Sequence, residues 1–217
     1  MRGNRDLMDF KQQLKIAYDK DAKRRDSLED KRDQWKLDTR QHFIELLKSQ
    51  KGKSILELGS GAGLDAKFFK DCGFDVLATD LSSEMIKMCL KRGLNAKMLD
   101  LYDLETLGKK FDAIFSMNVL LHVPKSDIED VLDNIYKTLN DGGLFFYGVY
   151  GGTDEEKTIV DDSKMGLPRL FSFLSDKSLL KLVKDKFEVL EFKTIDNGSN
   201  IPNFHFQSLF LKKKVSG

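Results

Sequence analysis

From Ser54 onward the chain alternates between short apolar runs and stretches whose apolar residues recur at helical spacing. The runs are SILELG, DVLATD, NAKMLD, FDAIFSM and GGLFFYGVY. Near-continuous apolar runs of this length are typical of strands buried on both faces. The clearest helical stretch has a capping-box pattern at Ser126–Glu129 ahead of its apolar face. The alternation predicts an α/β fold with a mainly parallel sheet and helices on both faces.

Ahead of this pattern, the first 53 residues predict two amphipathic helices. Their apolar side chains recur at helical spacing in two groups: Leu7, Phe10, Leu14, Ala17 and Tyr18, then Leu28, Trp35, Phe43, Leu46 and Leu47. A charged stretch, Asp19–Arg25, is predicted to join the two helices. We expect residues 1–53 to form a helical cap on a domain that comprises residues 54–217.

The end of the chain predicts a polar segment, a helix and a pair of strands. The segment from Gly151 to Pro168 is too long for a routine connection, so residues 151–171 are a candidate lid. A short helix is predicted over Ser175–Lys184. The runs FEVLEFKTID and HFQSLFLKKK are separated by the turn-forming segment NGSNIPN, and this spacing predicts two antiparallel strands.

Charge and composition limit the possible partners. The 217 residues include 36 Lys or Arg and 35 Asp or Glu, a net charge of +1, which provides no overall field for binding nucleic acid. Residues 1–53 carry a net charge of +5 and the remainder −4. The N-terminus lacks the apolar core of a secretory signal, and no run approaches the roughly 20 apolar residues that span a bilayer. We therefore expect a cytoplasmic protein with no membrane partner.

A glycine-rich turn follows the first predicted strand in Glu57-Leu58-Gly59-Ser60-Gly61-Ala62-Gly63. Such a turn aims backbone amides at a ligand, although a purely structural turn also uses glycine. Asp80 ends the second predicted strand and Asp100 the third, at the sheet edge where this fold class binds ligands. Asp80 is placed to accept the two hydroxyls of a ribose, and Asp100 to meet an adenine edge. Together these features predict an adenosine-containing cofactor.

The charge beside the glycine turn favours one such cofactor over another. Glu57 precedes the first glycine by two residues, where a carboxylate would repel the pyrophosphate of NAD or FAD. S-adenosylmethionine has no phosphate and carries an ammonium and a sulfonium, which an acidic site attracts. The spacing GxGxG also differs from the dinucleotide pattern GxGxxG. S-adenosylmethionine is therefore the first prediction, with NAD as the alternative.

The motifs between about Ser54 and Gly151 resemble those of class I S-adenosylmethionine-dependent methyltransferases. They are ILELGSGAG, ATDLSSEMI, MLDLYDL, FDAIFSMNVLLHVPKSD and LNDGGLFFYGVYGG, in the family's order and spacing. The resemblance implies a Rossmann-like seven-stranded sheet of order 3-2-1-4-5-7-6, with the last strand antiparallel. It assigns these residues to the cofactor site: Glu57, Gly59, Ser60, Gly61, Asp80, Leu81, Met85, Asp100, Leu101 and Ser116, with Tyr18 closing over it from the cap.

The catalytic residues are less defined by the sequence. Methyl transfer from a sulfonium needs a general base only when the acceptor must lose a proton. The candidates are His122, Tyr150 and His205, each of which also fits a packing role. Arg169 is either a contact for an anionic acceptor or a surface residue, and Phe171, Phe173, Phe204 and Phe206 are candidate pocket walls. No cluster has metal-ligand spacing, so no metal is predicted.

The predicted function is transfer of a methyl group from S-adenosylmethionine to a small-molecule acceptor by in-line displacement. One alternative is a methyltransferase that acts on RNA or protein, which the charge of residues 1–53 supports. Another is an S-adenosylmethionine-binding protein without catalysis, because the cofactor motifs are the same in either case. The sequence names neither the acceptor atom nor the oligomeric state.

Overall fold

The strands of the central sheet follow the order β3-β2-β1-β4-β5-β9-β8 in a computed structural model that describes residues 4–26, 33–160, 166–196 and 198–215. Their bounds are β1 Ser54–Leu58, β2 Asp75–Asp80, β3 Asn95–Met98, β4 Phe111–Met117, β5 Leu139–Gly151, β8 Phe187–Ile195 and β9 His205–Lys213. β1 to β5 run parallel, whereas β9 pairs antiparallel with both β5 and β8. The predicted fold class is confirmed, including the reversed last strand inserted beside the fifth.

Helices cover both faces of this sheet. They are α1 Asn4–Asp26, α2 Gln34–Ser49, α3 Leu64–Asp71, α4 Ser83–Lys91, α5 Ile128–Thr138 and α6 Asp176–Val183. Neighbouring residues of β1 enter different cores, since Leu56 packs with residues of α5 and α6 while Ile55 packs with residues of α2 and α3. This period of two is what burial on both faces requires. No helix among the described residues has the length and apolar character needed to cross a bilayer.

The N-terminal helices differ from the prediction in one respect. The charged stretch Asp19–Arg25 does not separate two helices, because α1 continues through it to Asp26. Asp21 is buried and accepts two hydrogen bonds from Arg24, one turn further along the helix. This pairing at a spacing of three residues stabilises helix where charge density alone suggested a break. Leu28, placed by the sequence in the second helix, lies outside the described residues.

The start of α5 also differs from its predicted capping box. Asp127 occupies the N-cap position, and neither its side chain nor that of Ser126 caps the helix. The Ser126 hydroxyl instead donates to the Asp127 carboxylate at 2.6 Å, and that carboxylate also accepts from the Tyr102 hydroxyl at 2.8 Å. The Ser126 hydroxyl is thus bonded to Asp127, and the contact between Asp127 and Tyr102 links the start of α5 to the 3-10 segment Leu101–Leu107.

The candidate lid, residues 151–171, forms an antiparallel hairpin beside the main sheet. Its strands are β6, Glu156–Val160, and β7, Pro168–Ser172. Residues 161–165 of the predicted lid lie outside the described residues. β7 is the inner strand, because Leu170 and Ser172 are buried whereas most of β6 is exposed. The hairpin therefore places a well-packed strand next to the carboxyl edge of the sheet.

Asp112 joins the amino ends of β1 and β4. Its Oδ2 accepts from the Lys53 amide at 2.8 Å, the Ser54 amide at 3.0 Å and the Ser54 hydroxyl at 2.9 Å, and its Oδ1 accepts from Asn140 at 2.8 Å. Burial raises the pKa of Asp112, but these hydrogen bonds outweigh it and hold the pKa below its usual value. The carboxylate therefore stabilises the fold at the sheet edge opposite the candidate site.

Replacement of Asp112 by alanine is expected to lower the free energy of unfolding by about 3 kcal/mol at pH 7, because several bonds to a charged acceptor are lost. A carboxyl whose pKa is lowered by folding stabilises above its unfolded pKa of about 3.9, and this contribution disappears as the pH falls further. Urea denaturation should therefore show a smaller difference in unfolding free energy between the wild type and Asp112→Ala at pH 2.5 than at pH 7. Asp185→Ala, which removes an exposed carboxylate, is the control. An equal difference at both pH values would contradict the stabilising role of the charged Asp112 carboxylate.

Candidate functional site

A cavity of about 440 Å³ opens at the carboxyl ends of β1, β2, β4 and β5. Its floor is formed by the glycine turn after β1 and the residues that follow the other strands. Its roof is α1, which contributes Phe10, Lys11, Leu14 and Tyr18. Arg169 and Phe171 of β7 line the far wall. The cavity thus lies where an open α/β sheet binds ligands, and it is covered by a helix from the beginning of the chain.

The glycine turn requires glycine for two distinct reasons. Gly59, Gly61 and Gly63 have φ values of 62°, 53° and 80°, in the left-handed region that side chains disfavour. A Cβ on Gly59 would also lie 2.2 Å from Val119 Cγ2, and one on Gly63 would lie 2.8 Å from Cys89 Sγ. The backbone can therefore fold tightly against the segments behind it. The turn from Gly59 to Ala62 thereby lines the cavity.

Asp80 fixes the glycine turn to the loop that follows β2. Its Oδ2 accepts from the Gly61 amide at 2.9 Å, and its Oδ1 accepts from the Ser82 amide at 2.8 Å. Each carboxylate oxygen can accept a second hydrogen bond, and Asp80 lines the cavity. The carboxylate is therefore held in position by the backbone and is suited to accept ribose hydroxyls.

Asp100 links the floor of the cavity to its roof. Its Oδ1 accepts from the Tyr102 amide at 3.2 Å, which caps the 3-10 segment. Its Oδ2 pairs with Lys11 Nζ of α1 at 2.8 Å, and the same ammonium lies 3.5 Å from the centroid of the Tyr102 ring. One lysine thus contacts both an acid and an aromatic face across the site. Lys11 was not predicted as a site residue, because nothing in the chain order indicates that α1 reaches the residues after β3.

Asn118 is a second residue that the sequence analysis missed. It follows β4 with a φ of 59°, uncommon for a residue other than glycine, and its amide donates to the Gly148 carbonyl at 2.7 Å. Its Oδ1 is buried at the cavity without a hydrogen-bond partner among the described residues. A buried acceptor of this kind is expected to be satisfied by a ligand. Asn118 was recognisable in principle, since asparagine tolerates this conformation better than most residues.

These residues fit a cationic adenosine cofactor. Glu57 is 4% exposed, and with Asp80 and Asp100 it makes one end of the cavity acidic. An ammonium and a sulfonium are attracted by this charge, whereas a pyrophosphate is repelled. The unsatisfied Oδ1 of Asn118 adds an acceptor for an N–H or O–H donor. The acids and the glycine turn are brought together as the spacing of the motifs predicted.

A tyrosine and a histidine that line the same cavity are in contact with each other. The Tyr18 hydroxyl lies 2.6 Å from His122 Nε2, and His122 Nδ1 lies 2.8 Å from the Leu170 carbonyl. Because a carbonyl only accepts, Nδ1 carries the proton, and Nε2 then accepts from the Tyr18 hydroxyl. His122 is only 7% exposed and packs against Phe171, with ring centroids 4.8 Å apart. This imidazole is held in one tautomer with its basic nitrogen directed to the roof.

Tyr150 also lines the cavity, and its hydroxyl has no hydrogen-bond partner among the described residues. Its ring stacks on Phe204 at 5.9 Å and meets Phe206 edge-on at 5.3 Å. Burial, with a smaller effect from the charge of Asp33, raises the pKa of Tyr150. Burial therefore favours the neutral phenol, which can donate a hydrogen bond to a ligand.

The structure brings most of the predicted site residues into this cavity. They are Tyr18, Glu57, Gly59, Ser60, Gly61, Asp80, Leu81, Asp100, Leu101, His122 and Tyr150. Met85 and Ser116 are buried beside the cavity and do not line it. His205 lies elsewhere, with its Nε2 2.8 Å from Asp176 Oδ1 in a shallow groove between β8 and β9. His205 is therefore not placed to reach a group bound beside the glycine turn.

A family model described as a methyltransferase domain matches residues 29–189 of the chain. The chain belongs to this methyltransferase family. The match includes the glycine turn, Asp80, Asp100, His122 and both strands of the hairpin. The resemblance to class I S-adenosylmethionine-dependent methyltransferases is therefore confirmed, and the cofactor is S-adenosylmethionine.

Relatives and solved structures agree with this family. The methyltransferase is 26% identical over 200 residues to phosphoethanolamine N-methyltransferase 1 of Zea mays, which covers 82% of the chain and 38% of that relative. It is 28% identical over 111 residues to the ubiquinone biosynthesis O-methyltransferase of Coxiella burnetii, which covers 48% and 47%. The chain thus spans less than half the length of either relative. The structure of DhpI in complex with SAH matches with a TM-score of 0.68 and 18% identity, covering 92% of the methyltransferase and 96% of DhpI.

Proposed function

We propose that this methyltransferase transfers a methyl group from S-adenosylmethionine to a small amine or hydroxyl compound by in-line displacement. The observation that carries the proposal is the Tyr18–His122 pair, which lies in the same cavity as the glycine turn and the acids. A cavity of about 440 Å³ beneath a helix has room for the cofactor and a small acceptor. The N-methyltransferase and O-methyltransferase relatives act, by their names, on small molecules, which supports this acceptor class.

The residues of the cavity divide the work into binding and proton removal. When bound, S-adenosylmethionine supplies a methyl group already activated as a sulfonium. Asp80 is suited to hold the ribose hydroxyls, Asp100 the adenine edge, and Glu57 and Asn118 the ammonium. The remaining requirement is to present an acceptor lone pair roughly 3 Å from the methyl carbon.

The Tyr18–His122 pair is suited to expose that lone pair. A protonated amine or a hydroxyl becomes nucleophilic when its proton is removed. The acceptor proton passes to the Tyr18 oxygen as the Tyr18 proton passes to His122 Nε2, so that the imidazole becomes positively charged. The Leu170 carbonyl, which accepts from Nδ1, stabilises that charge. The pair therefore acts as one base whose two members come from α1 and from the 3-10 segment Leu120–His122.

Cofactor binding tests the proposal at its first step. S-adenosylhomocysteine is expected to bind with 1:1 stoichiometry in isothermal titration calorimetry, and Asp80→Ala is expected to weaken this binding at least tenfold, about 1.4 kcal/mol. Asp75→Ala removes an exposed carboxylate from the other end of β2 and is the matched control. Unchanged affinity in Asp80→Ala means that the ribose lies elsewhere. Absence of any binding to the wild type overturns the proposal.

Turnover tests the second step. With S-adenosylmethionine and a panel of small amines and hydroxyl compounds, including phosphoethanolamine, we expect formation of S-adenosylhomocysteine and of a methylated acceptor, both detected by mass spectrometry. S-adenosylhomocysteine binding without turnover of any compound favours a cofactor-binding protein without catalysis. Methylation of RNA together with binding that weakens steeply in salt favours the macromolecular alternative.

A further inference from the structure

Arg169 is a buried cation whose role the cofactor site does not explain. It lies in β7, lines the cavity, and is 7% exposed. Its Nε has no hydrogen-bond partner among the described residues. Burial of a charged group without a partner costs several kcal/mol, so a native structure seldom keeps such a group without a purpose. The unpartnered Nε–H therefore indicates a ligand that supplies a hydrogen-bond acceptor with negative charge.

The other cations of the cavity are already paired. Lys11 contacts Asp100 at 2.8 Å, and Lys36 contacts Asp33 at 2.6 Å. In the part of the chain that the structure describes, no carboxylate lies within ion-pair distance of Arg169. The guanidinium instead lies 5.0 Å from the centroid of the Phe171 ring, which holds its plane without neutralising its charge. Of these three cations, Arg169 is the one available to a bound anion.

Strand geometry places Arg169 beside the proposed base. Side chains two residues apart in a strand share a face, and Arg169 and Phe171 both line the cavity. The Phe171 ring packs on His122 at 4.8 Å, and the Leu170 carbonyl holds the same imidazole. One strand thus positions the base and carries the cation. The Phe171 ring lies between them, with its centroid 5.0 Å from the guanidinium and 4.8 Å from the imidazole centroid.

We infer that the methyl acceptor carries an oxyanion, a phosphate or a carboxylate, and that Arg169 binds it. The inference rests on the proposed function and adds the chemical class of the acceptor. The acids of the cavity then face the cationic cofactor, and the guanidinium faces the anionic group of the acceptor. Arginine is suited to this task because its planar fork donates two parallel hydrogen bonds to an oxyanion. Binding at Arg169 leaves the other end of the acceptor beside Tyr18.

The test measures anion binding to the protein saturated with S-adenosylhomocysteine. Inorganic phosphate is followed by the broadening of its ³¹P signal, and acetate by saturation-transfer ¹H spectra. Arg169→Met, which keeps an apolar stem, is expected to weaken binding of the recognised anion at least tenfold. The affinity of Arg169→Lys is expected to lie between those of the wild type and Arg169→Met. Arg92→Met, which removes a guanidinium at the end of α4, is the matched control and is expected to bind like the wild type. All variants should bind S-adenosylhomocysteine normally.

A second measurement does not depend on the fold of the Met variant. In wild-type protein labelled in its arginine side chains, the Nε–H signal that is absent from Arg169→Lys should shift as the recognised anion is added. Phosphate binding alone, or acetate binding alone, identifies the oxyanion. The inference is overturned if neither anion binds the wild type, or if Arg169→Met binds both unchanged. Absence of S-adenosylhomocysteine binding to the wild type would instead overturn the proposed function, so the two failures are distinguishable.

Discussion

His122→Phe is expected to lower the rate of methyl transfer about 10³-fold while leaving the affinity for S-adenosylhomocysteine within a factor of three, the scale of a lost general base. Phenylalanine preserves the ring that packs against Phe171 but removes both nitrogens. The Tyr18 hydroxyl and the Leu170 carbonyl then lose their partner. Single-turnover kinetics measure the chemical step, and calorimetry measures the cofactor.

Tyr18→Phe removes only the hydroxyl and serves as the companion variant. Because the two groups act as one base, the double variant is expected to be little slower than either single variant. His42→Phe is the control, since His42 contacts Glu191 outside the cavity. Wild-type rates in both single variants would show that the pair only holds α1 in place. A fall in cofactor affinity that matches the fall in rate would assign His122 to cofactor packing.

Gly59→Ala is expected to weaken S-adenosylhomocysteine binding roughly 30-fold, about 2 kcal/mol, and to lower the free energy of unfolding by about 3 kcal/mol. The left-handed backbone disfavours a side chain, and the added Cβ would meet Val119 at 2.2 Å. Relief of that overlap moves either the turn or the segment after β4, and both line the cavity. Calorimetry and urea denaturation measure the two effects separately.

Gly108→Ala separates the two causes in this prediction. Gly108 has a φ of 61°, nearly that of Gly59 at 62°, but a Cβ there would have no atom within 4 Å. Its substitution should cost about 1 kcal/mol of stability from backbone strain alone and leave cofactor affinity unchanged. Val119→Ala added to Gly59→Ala should recover part of the loss, because it removes the overlapping methyl groups. Equal effects at Gly59 and Gly108 would contradict the steric explanation.

Local patterns in the chain were sufficient to predict the sheet and the meeting of the glycine turn with the acids in one cavity. Apolar runs indicated the strands, and each acid at the end of a strand was bound to reach the same edge of the sheet. Gly59, Asp80 and Asp100 are therefore close together for a reason that spacing alone reveals. The prediction failed where local charge was its only guide, as in Asp19–Arg25, where the buried Asp21 pairs with Arg24 and keeps the helix intact.

The contact between Tyr18 and His122 and the isolation of Arg169 could not be predicted from the sequence in the same way. Tyr18 and His122 are separated by 104 residues, and their contact depends on the path of α1 over the sheet. The tautomer of His122 depends on a backbone carbonyl in a hairpin that the sequence indicated only as a polar segment. The importance of Arg169 comes from the absence of a carboxylate around it among the described residues. A missing neighbour leaves no sequence pattern.

The path of α1 has a consequence for the order of events in a reaction cycle. α1 is attached to the floor through Asp19, which accepts from the Ser82 hydroxyl and the Glu84 amide, and through the Lys11 contact with Asp100. If this roof lifts to admit an acceptor, the Tyr18 hydroxyl moves away from the imidazole. The open form then holds a cofactor but lacks a complete base. We therefore expect closure of α1 to commit each turnover, with premature chemistry prevented by the distance between two halves of one base.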